Sequence, residues 1–300
     1  MTSAERESEY EEQLNILSDR HGLQILDQEN AHCIVERISA FRLWEYGSEF
    51  LNPENPERFL EGTCLEQLYQ ISLFDGELRS ILRDALETIE LQLRSCICTL
   101  LVSRYGPYGY LDIHNFSKVK SKRGTFIHTD TISRCMREVI RERPYLKKQC
   151  QLQSADQLRI PLWEAVDSFS FGNLTRLFSI MKREDRQQIA SHFGYKTQYL
   201  GSWLVTLVEI RNLCCHQSRL YNRSFRNSPK LFKEDSWSSG IPEDRLFPIF
   251  IVLRRILGNS NQFYWSKLYD RLLGSTRKHY GKIQLSAFGF PVNWKEMLLN

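Results

Sequence analysis

The chain has 300 residues, of which 42% are apolar and 25% charged, with only 15 glycines and 9 prolines. This composition is that of a globular protein with a substantial core, and it excludes collagen-like, low-complexity and wholly disordered chains. The net charge of +4 hides an asymmetry, because residues 1–100 carry 8 Lys or Arg against 20 Asp or Glu, whereas residues 101–300 carry 32 against 16. Such a basic region favours a polyanionic partner, most often nucleic acid, with neutralisation by the acidic third as the alternative.

Helical patterns dominate the first hundred residues. Residues 9–21 are expected to form a helix ending at Gly22, and Asp27 is suited to cap the next one. The segment 52–59 contains two prolines and is expected to be a loop. The strongest helix covers residues 78–101, because apolar residues recur there at steps of three and four. Its stripe consists of Leu78, Leu82, Leu86, Ile89, Leu93, Ile97 and Leu100.

The remainder of the chain also has helical patterns. After a break at 105–110, residues 117–128 are expected to be an exposed basic loop. Thr129 or Asp130 is suited to cap a helix that ends near Arg143. Pro161 fits the first turn of a helix carrying Leu162, Val166, Phe169 and Phe178. Further helices are expected near 184–192, 199–210, 244–257 and 262–278. No internal repeat or long alternating strand pattern is present, so the predicted fold class is all-α.

Several features place the protein in a reducing, aqueous compartment. No segment reaches the roughly 18 consecutive apolar residues of a membrane span. The first residues are acidic and polar, unlike a secretory signal. The eight cysteines include no C-x-x-C pair and no disulfide spacing. A cytoplasmic protein with no membrane association is therefore expected.

The densest polar cluster follows an apolar helix at residues 209–223. At about 100° per residue, four of its polar residues share a narrow stripe, but Arg211 lies about 140° from His216 around a straight helix. These two side chains converge only if the helix ends between them, or if two chains contribute copies to a shared groove. The cluster contains Arg211, Asn212, His216, Arg219 and Arg223.

These residue types suit a reacting phosphate. Histidine titrates near neutrality and moves protons, and arginine offers a permanent forked charge to a phosphate. No Asp/Glu cluster suited to Mg²⁺ accompanies them, so the types fit metal-independent RNA cleavage through attack by the 2′-hydroxyl. From the spacing alone the signal is weak, because such an Arg–His match often arises by chance and a structural histidine at a helix end is more common. Zinc binding by Cys214, Cys215 and His216 is a weaker alternative, because adjacent cysteines rarely share one tetrahedral ion.

Ordered motifs add a more specific signal over residues 10–230. In these motifs the chain resembles the Abi family of bacterial abortive phage infection proteins, which is related to the HEPN ribonuclease superfamily. The motifs are QLNILSDRHGLQI (13–25), RISAFRLWEY (37–46), LYQISLFDGELRSILRDALETIELQLRS (68–95), YGPYGYLD (105–112), IPLWEAVDSFSFGNLTRLFS (160–179) and RNLCCHQSRLYNR (211–223).

The resemblance implies a HEPN-like four-helix up-and-down core with additional N- and C-terminal helices. The expected regions are an N-terminal helical part at 1–62, the core at 63–230 and a C-terminal extension at 231–300. The superfamily's catalytic motif, Arg followed by a polar residue and then His, is matched by Arg211, Asn212 and His216. Motifs from two protomers usually meet in one cleft, so the single copy here implies a homodimer. No cofactor or metal is expected.

The leading hypothesis is therefore a metal-independent endoribonuclease of a phage-defence or toxin–antitoxin system. Arg211 would stabilise the phosphate, His216 would act as acid and base, and Asn212 would orient one of them. RNA-backbone contacts are expected from Arg219, Arg223, Lys118, Lys120, Lys122 and Arg123.

Two alternatives to this hypothesis stay open. One is a non-catalytic module that holds a structured noncoding RNA, and the other is a structural role for the Arg–His segment. Glu90 and Arg94 are expected to form an internal ion pair or to orient Arg211.

Overall fold

The computed structural model describes residues 3–122, 124–149, 159–233, 240–260 and 262–299, and within them the chain is almost entirely helical. One small antiparallel hairpin pairs β1 (Leu51–Asn52) with β2 (Asn55–Phe59). The predicted all-α class is confirmed. The helices are α1 (Ser3–Asn15), α2 (Gln28–Arg37), α3 (Ala40–Tyr46), α4 (Leu65–Tyr105), α5 (Ile127–Glu142), α6 (Pro144–Gln149), α7 (Leu162–Ala165), α8 (Phe171–Ile180), α9 (Arg183–His192), α10 (Thr197–Cys215), α11 (Phe247–Ser260), α12 (Gln262–Lys278) and α13 (Trp294–Leu299).

The 41-residue helix α4 lies at the centre of the fold. Every residue of the apolar stripe predicted for it is buried. The helix begins at Leu65 rather than Leu78, because Leu68, Ile71 and Phe74 continue the same buried stripe toward the N-terminus. It ends at Tyr105, and Gly106 follows with a φ of 76°, which glycine adopts without steric cost. At 1.5 Å per residue α4 is about 60 Å long, enough to carry several other helices along its sides.

Helix α10 packs against α4 and α8. Its buried face includes Leu200, Trp203, Leu207 and Ile210, at the spacing that an amphipathic helix requires. Trp203 also donates a hydrogen bond from Nε1 to the Lys230 carbonyl at 2.7 Å, which fixes the chain that returns past α10. This packing sets the polar residues that follow Ile210 against the middle of α4.

The remaining helices surround this pair. Helix α8 also packs against α4 and α5, and α9 packs against α4 and α10. The C-terminal helices α11 and α12 contact each other and α4. The division into regions 1–62, 63–230 and 231–300 stays a prediction.

The segment that begins at Pro161 forms two helices instead of the single helix that its apolar pattern predicts. Phe169 has an extended backbone between α7 and α8, and the Ser170 hydroxyl then caps α8 by accepting a hydrogen bond from the Asn173 amide. A serine that can cap a new helix offers the backbone an alternative to continuing the old one. Within this segment Trp163 is 52% exposed, while Phe169 is buried.

Three local predictions also have definite outcomes. Asp27 caps α2, as expected, by accepting a hydrogen bond from the Asn30 amide. The cap predicted at Thr129 or Asp130 is wrong, because α5 already begins at Ile127. The expected loop at 52–59 is partly a hairpin, since Asn52 and Asn55 form the turn end of the paired strands.

Candidate functional site

The polar cluster at 209–223 lies where α10 ends. The His216 amide still donates to the Asn212 carbonyl at 3.0 Å, so the helical path continues through His216. Gln217 then adopts a φ of 53°, and the Ser218 amide returns to the Leu213 carbonyl at 2.9 Å. A left-handed residue followed by such a bond is a common way to satisfy the last carbonyls of a helix. His216 is therefore held on the last turn, with an exposed side chain.

Arg211 is held by a carboxylate from α4. Its Nη2 lies 3.3 Å from Glu90 Oε2, and its Nη1 donates to the Asn212 side-chain oxygen, also at 3.3 Å. The other oxygen of Glu90 accepts from Arg94 at 2.9 Å, and Arg94 in turn donates to the Phe169 carbonyl at 2.9 Å. Glu90 thus forms the internal pair with Arg94 and also contacts Arg211, so both roles expected for it occur together.

The guanidinium of Arg211 keeps access to solvent despite this pairing. Its side chain is 30% exposed, whereas that of Glu90 is 12% exposed. A partly desolvated carboxylate that contacts two arginines leaves a net positive charge at the site. The arrangement can therefore bind an anion without first losing its internal contacts.

Arg211 and His216 do not meet within one chain. Because the helical path continues through His216, the two side chains remain about 140° apart around α10. The two side chains could converge within one chain if α10 ended between them. The helix does not end there, because the His216 amide still donates to the Asn212 carbonyl. The Arg211 side chain contacts that of Asn212, whereas His216 lies on a different face of α10.

A buried carboxylate fixes the segment that follows His216. Asp75 on α4 has no solvent-exposed side-chain surface, and its Oδ1 accepts from the Leu220 and Tyr221 amides at 2.9 and 2.8 Å. Its Oδ2 accepts from the Tyr46 hydroxyl at 2.8 Å and from Arg79. Burial raises the pKa of Asp75, and the charge of Arg79 opposes that shift. Burial and the nearby Asp75 raise the pKa of Tyr46 to about 12.

Asp75 was not among the residues predicted from the sequence. The available signal was a carboxylate within the apolar stripe of α4, followed four residues later by Arg79, which is the spacing of a helical ion pair. Its contacts with Leu220 and Tyr221 join residues about 145 positions apart in the chain, and no local pattern encodes such a contact.

The two later arginines of the cluster make internal hydrogen bonds. Arg219 donates to the Tyr221 carbonyl at 2.9 Å and lies 3.4 Å from the Ser48 hydroxyl. Arg223 donates to the Arg219 carbonyl at 3.2 Å. Both side chains are partly exposed. They therefore stabilise the loop after α10, while part of each remains accessible to a ligand.

The predicted basic loop lies directly before α5. Lys118, Lys120 and Lys122 are exposed there, and the Lys120 ammonium lies 5.1 Å from the centre of the Phe126 ring. Arg123 lies outside the described residues. Whether this loop tracks an RNA backbone stays a prediction.

An arginine-lined cleft of about 520 Å³ lies between α5 and the start of α8. Three of its arginines occupy one exposed face of α5, and among the described residues Arg137 and Arg141 make no ion pair. From the sequence, RNA-backbone contacts were expected in the loop before α5, and the arginines of α5 were not singled out. The cleft is lined by Arg134, Arg137, Glu138, Arg141, Ser170, Gly172, Asn173 and Arg176.

This cleft, named here the arginine cleft, adjoins the Arg211 site. A Cβ placed on Gly172 would lie 3.7 Å from a methyl group of Val208, which precedes Arg211 by about one turn of α10. At the same edge Arg94 bonds to the Phe169 carbonyl. The arginine cleft therefore lies beside the part of α10 that precedes Arg211.

The cysteines of the cluster do not form a favourable metal site. Cys214 is buried, which raises the pKa of its thiol to about 12 and disfavours the thiolate that zinc requires. Cys215 lies next to it with an exposed side chain. Within the described residues no group of three or more His, Cys, Asp or Glu side chains could hold a metal ion.

None of the described helices combines the length and apolar character that crossing a membrane requires.

Comparison with known proteins gives one informative match. Residues 33–222 match the family described as Abi-like protein. No curated protein and no solved structure matches the chain. The matched region is more than half of the chain and includes Asp75, Glu90, Arg211 and His216.

Proposed function

Because the chain belongs to the Abi-like protein family, we propose that it acts in the cytoplasm as a metal-independent endoribonuclease of the HEPN type. Membership of the family implies a role in abortive infection, a form of phage defence. The observation that carries the enzymatic proposal is the pairing of Glu90 with Arg211 across two helices, five residues before an exposed His216.

The proposed reaction needs only the RNA and these side chains. The 2′-oxygen of a ribose attacks the adjacent phosphorus, its proton passes to a base, and the bond from phosphorus to the 5′-oxygen breaks. His216 serves as the base that takes the 2′-hydroxyl proton and then, as an imidazolium, as the acid that protonates the departing 5′-oxygen. Arg211 stabilises the charge that develops on the phosphate oxygens. The products are a 2′,3′-cyclic phosphate and a 5′-hydroxyl end.

Asn212 and Glu90 act in this proposal as positioning residues. The Asn212 side-chain oxygen and the Glu90 carboxylate each accept a hydrogen bond from the Arg211 guanidinium. Two acceptors on different nitrogens restrict how the guanidinium plane can rotate. A pre-oriented donor is more effective in a transition state than one that must be ordered during the reaction.

The active unit in this proposal is a symmetric homodimer. Arg211 and His216 lie about 140° apart on α10, so one chain cannot place both on the same phosphate. A two-fold axis near the end of α10 brings Arg211 of one protomer toward His216 of the partner subunit. Helices α4, α5, α8 and α10 are assigned as the four-helix core of the superfamily, because α8 packs against the other three and α10 packs against α4.

The arginine cleft and the basic loop supply the proposed RNA contacts. Arg137 and Arg141 are exposed, and among the described residues neither has an acidic partner. Lys118, Lys120 and Lys122 extend the positive surface before α5. Arg219 and Arg223 add partly exposed charge after His216. Such contacts bind the RNA backbone without reading its sequence.

A second candidate function is RNA binding without cleavage. The arginine cleft favours it, because backbone binding there does not require His216. In this form the protein would hold a structured noncoding RNA, as some toxin–antitoxin systems do. Both candidate functions require RNA binding, and they differ in whether the bound RNA is cleaved.

One incubation separates the two candidates. Purified protein is mixed with end-labelled RNA in excess EDTA, and both the product ends and the bound fraction are measured. Cyclic-phosphate ends that accumulate in EDTA support the nuclease. A salt-sensitive complex that leaves the RNA intact supports the binding module.

A further inference from the structure

A second basic cleft lies at the opposite end of α10 from His216. It has a volume of about 1,100 Å³ and is bounded by α9, the first turns of α10 and the chain near Lys230. Helix α10 has 19 residues and is about 28 Å long, so this cleft is separate from the Arg211 site. The cleft is lined by four cations and by no acidic residue; the cations are Arg183, Arg186, Lys196 and Lys230.

The charges of this cleft are not neutralised from within the described chain. None of the four cations forms an ion pair with a described residue. Asp185 is a buried acid on the same helix α9, and it is turned to the other side of that helix. There its two oxygens accept from Arg104 and, at 2.8 Å, from the Tyr105 hydroxyl. The cleft therefore concentrates positive charge that Asp185 does not offset.

The start of α10 adds to that charge. Lys196 precedes the helix, no side chain caps its first turn, and no acidic residue lies in that turn. Unpaired amides and the helix dipole make such an end favourable for an anion and unfavourable for nearby cations. Four cations beside it repel one another and the helix end. An anionic ligand would relieve this repulsion.

We propose that this cleft binds phosphate groups, with an RNA strand as the favoured source and a free nucleoside polyphosphate as the other. The volume of the cleft is slightly above the range of about 300–1,000 Å³ that is usual for small-molecule sites. Tyr195 lines the cleft, but its ring packs edge-on against Trp203 at 4.7 Å and its hydroxyl donates to the Arg255 carbonyl. The site is therefore suited to contact phosphates rather than to enclose a base.

This inference rests on the proposed function only for the identity of the ligand as RNA. The second cleft would hold a part of the strand roughly 20 Å from Arg211, the distance along α10 from Thr197 to Arg211. Binding there would extend the footprint of the RNA beyond the cleaved bond. RNA binding in the second cleft would also explain why exposed basic residues occur at the far end of α10 from His216.

The test compares the double variant Arg183→Gln/Arg186→Gln with wild type. Binding of labelled single-stranded RNA is measured by fluorescence anisotropy over a range of salt concentrations. Loss of two phosphate contacts should reduce the slope of log affinity against log salt by about 1.4. The control is Arg277→Gln/Lys282→Gln, because these exposed cations lie outside both clefts and have no ion pair with a described residue. The control slope should not change.

A second arm identifies the source of the phosphate. ATP and inorganic tripolyphosphate are titrated into wild type and into both double variants. The Arg183/Arg186 variant could lose affinity for ATP and tripolyphosphate while its affinity for RNA stays unchanged. That result assigns the cleft to a free polyphosphate. Unchanged binding of RNA and of both small ligands overturns the proposal.

Two further measurements keep the result interpretable. Thermal unfolding shows whether the double variant is folded, and Lys196→Gln provides a milder variant of the same cleft. The cleavage rate at saturating RNA should stay within about twofold of wild type, since no group at the reacting phosphate changes. If wild type does not cleave RNA at all, the binding slopes still decide the fate of the second cleft.

Discussion

Glu90 binds Arg94 through one carboxylate oxygen and Arg211 through the other, at 2.9 and 3.3 Å. It thereby joins two turns of α4 to the end of α10. Arg94 also reaches the Phe169 carbonyl, where the chain passes from α7 to α8. The orientation of Arg211 is thus tied to the packing of three helices.

Glu90→Gln should reduce RNA cleavage without weakening RNA binding. The amide keeps the shape of the side chain but loses the charge that holds Arg211, and a displacement of about 1 Å in a catalytic group can cost up to about 10²-fold in rate. We expect kcat at saturating RNA to fall by at least about tenfold. RNA affinity should stay equal or rise, because one negative charge is removed.

The matched control for Glu90→Gln is Glu87→Gln. Glu87 lies one turn earlier on α4, is exposed and makes no contact with Arg211. Its variant should cleave like wild type. An increase in kcat for Glu90→Gln would show that Glu90 restrains Arg211 instead of positioning it.

Asp75→Asn should destabilise the fold strongly. The substitution leaves Arg79 partly buried beside a neutral amide and removes the charge that binds two backbone amides and the Tyr46 hydroxyl. Breaking a buried ion pair on one side costs about 3–5 kcal/mol. Urea unfolding should show a loss of that size in the free energy of unfolding.

The control for this loss is Asp84→Asn on the same helix. Asp84 pairs with Arg271, and both side chains are nearly half exposed. Exposed pairs contribute about 0–1 kcal/mol, so the control should lie within that range of wild type. An Asp75 variant that is as stable as the Asp84 variant would contradict the structural role assigned to Asp75.

The contrast between Asp75 and the apolar stripe shows what the sequence could predict. Regular burial along α4 follows from spacing, because one face of a long helix repeats every three or four residues. The cap at Asp27 also follows from a local rule. The break at Phe169 does not, since Ser170 begins a new helix within an apolar pattern that would equally suit a continuous one.

The candidate site was predictable in its residue types but not in its geometry. Arg211, Asn212 and His216 stand out because a polar cluster interrupts an apolar helix. Their separation around α10 depends on whether that helix continues to His216, which is decided by the hydrogen bond to the Asn212 carbonyl and the left-handed Gln217. The sequence offered Glu90 as a partner of Arg94 or of Arg211, but that it contacts both at once follows from how α4 and α10 pack.

The arginine cleft should contribute to the salt dependence of RNA binding. Replacing Arg137 and Arg141 by Gln removes two exposed cations that have no ion pair among the described residues. The slope of log affinity against log salt should fall by about 1.4 for single-stranded RNA. Fluorescence anisotropy measures it, with Arg277→Gln/Lys282→Gln as the charge-matched control. Equal slopes for the two double variants would show that the cleft is only a solvated surface.

A composite site between two protomers makes a quantitative prediction for mixed variants. Arg211→Ala and His216→Ala are each inactive alone, because every site in either homodimer lacks one group. In a mixed dimer one site lacks both groups and the other has both intact. After subunit exchange of an equimolar mixture, half of the dimers are mixed, so about a quarter of the wild-type activity should return. A mixture that stays inactive while native mass spectrometry shows mixed dimers would place Arg211 and His216 in the same chain's site.

The most direct test of the central claim is cleavage of labelled RNA in EDTA by His216→Ala. Loss of an acid or base typically costs about 10²–10⁴ in rate, while the arginines that bind phosphate remain. We expect a cleavage rate reduced by that factor, RNA affinity close to wild type, and unchanged thermal unfolding, because the side chain is exposed. Undiminished cleavage by a folded His216→Ala variant would contradict the claim that His216 transfers the proton.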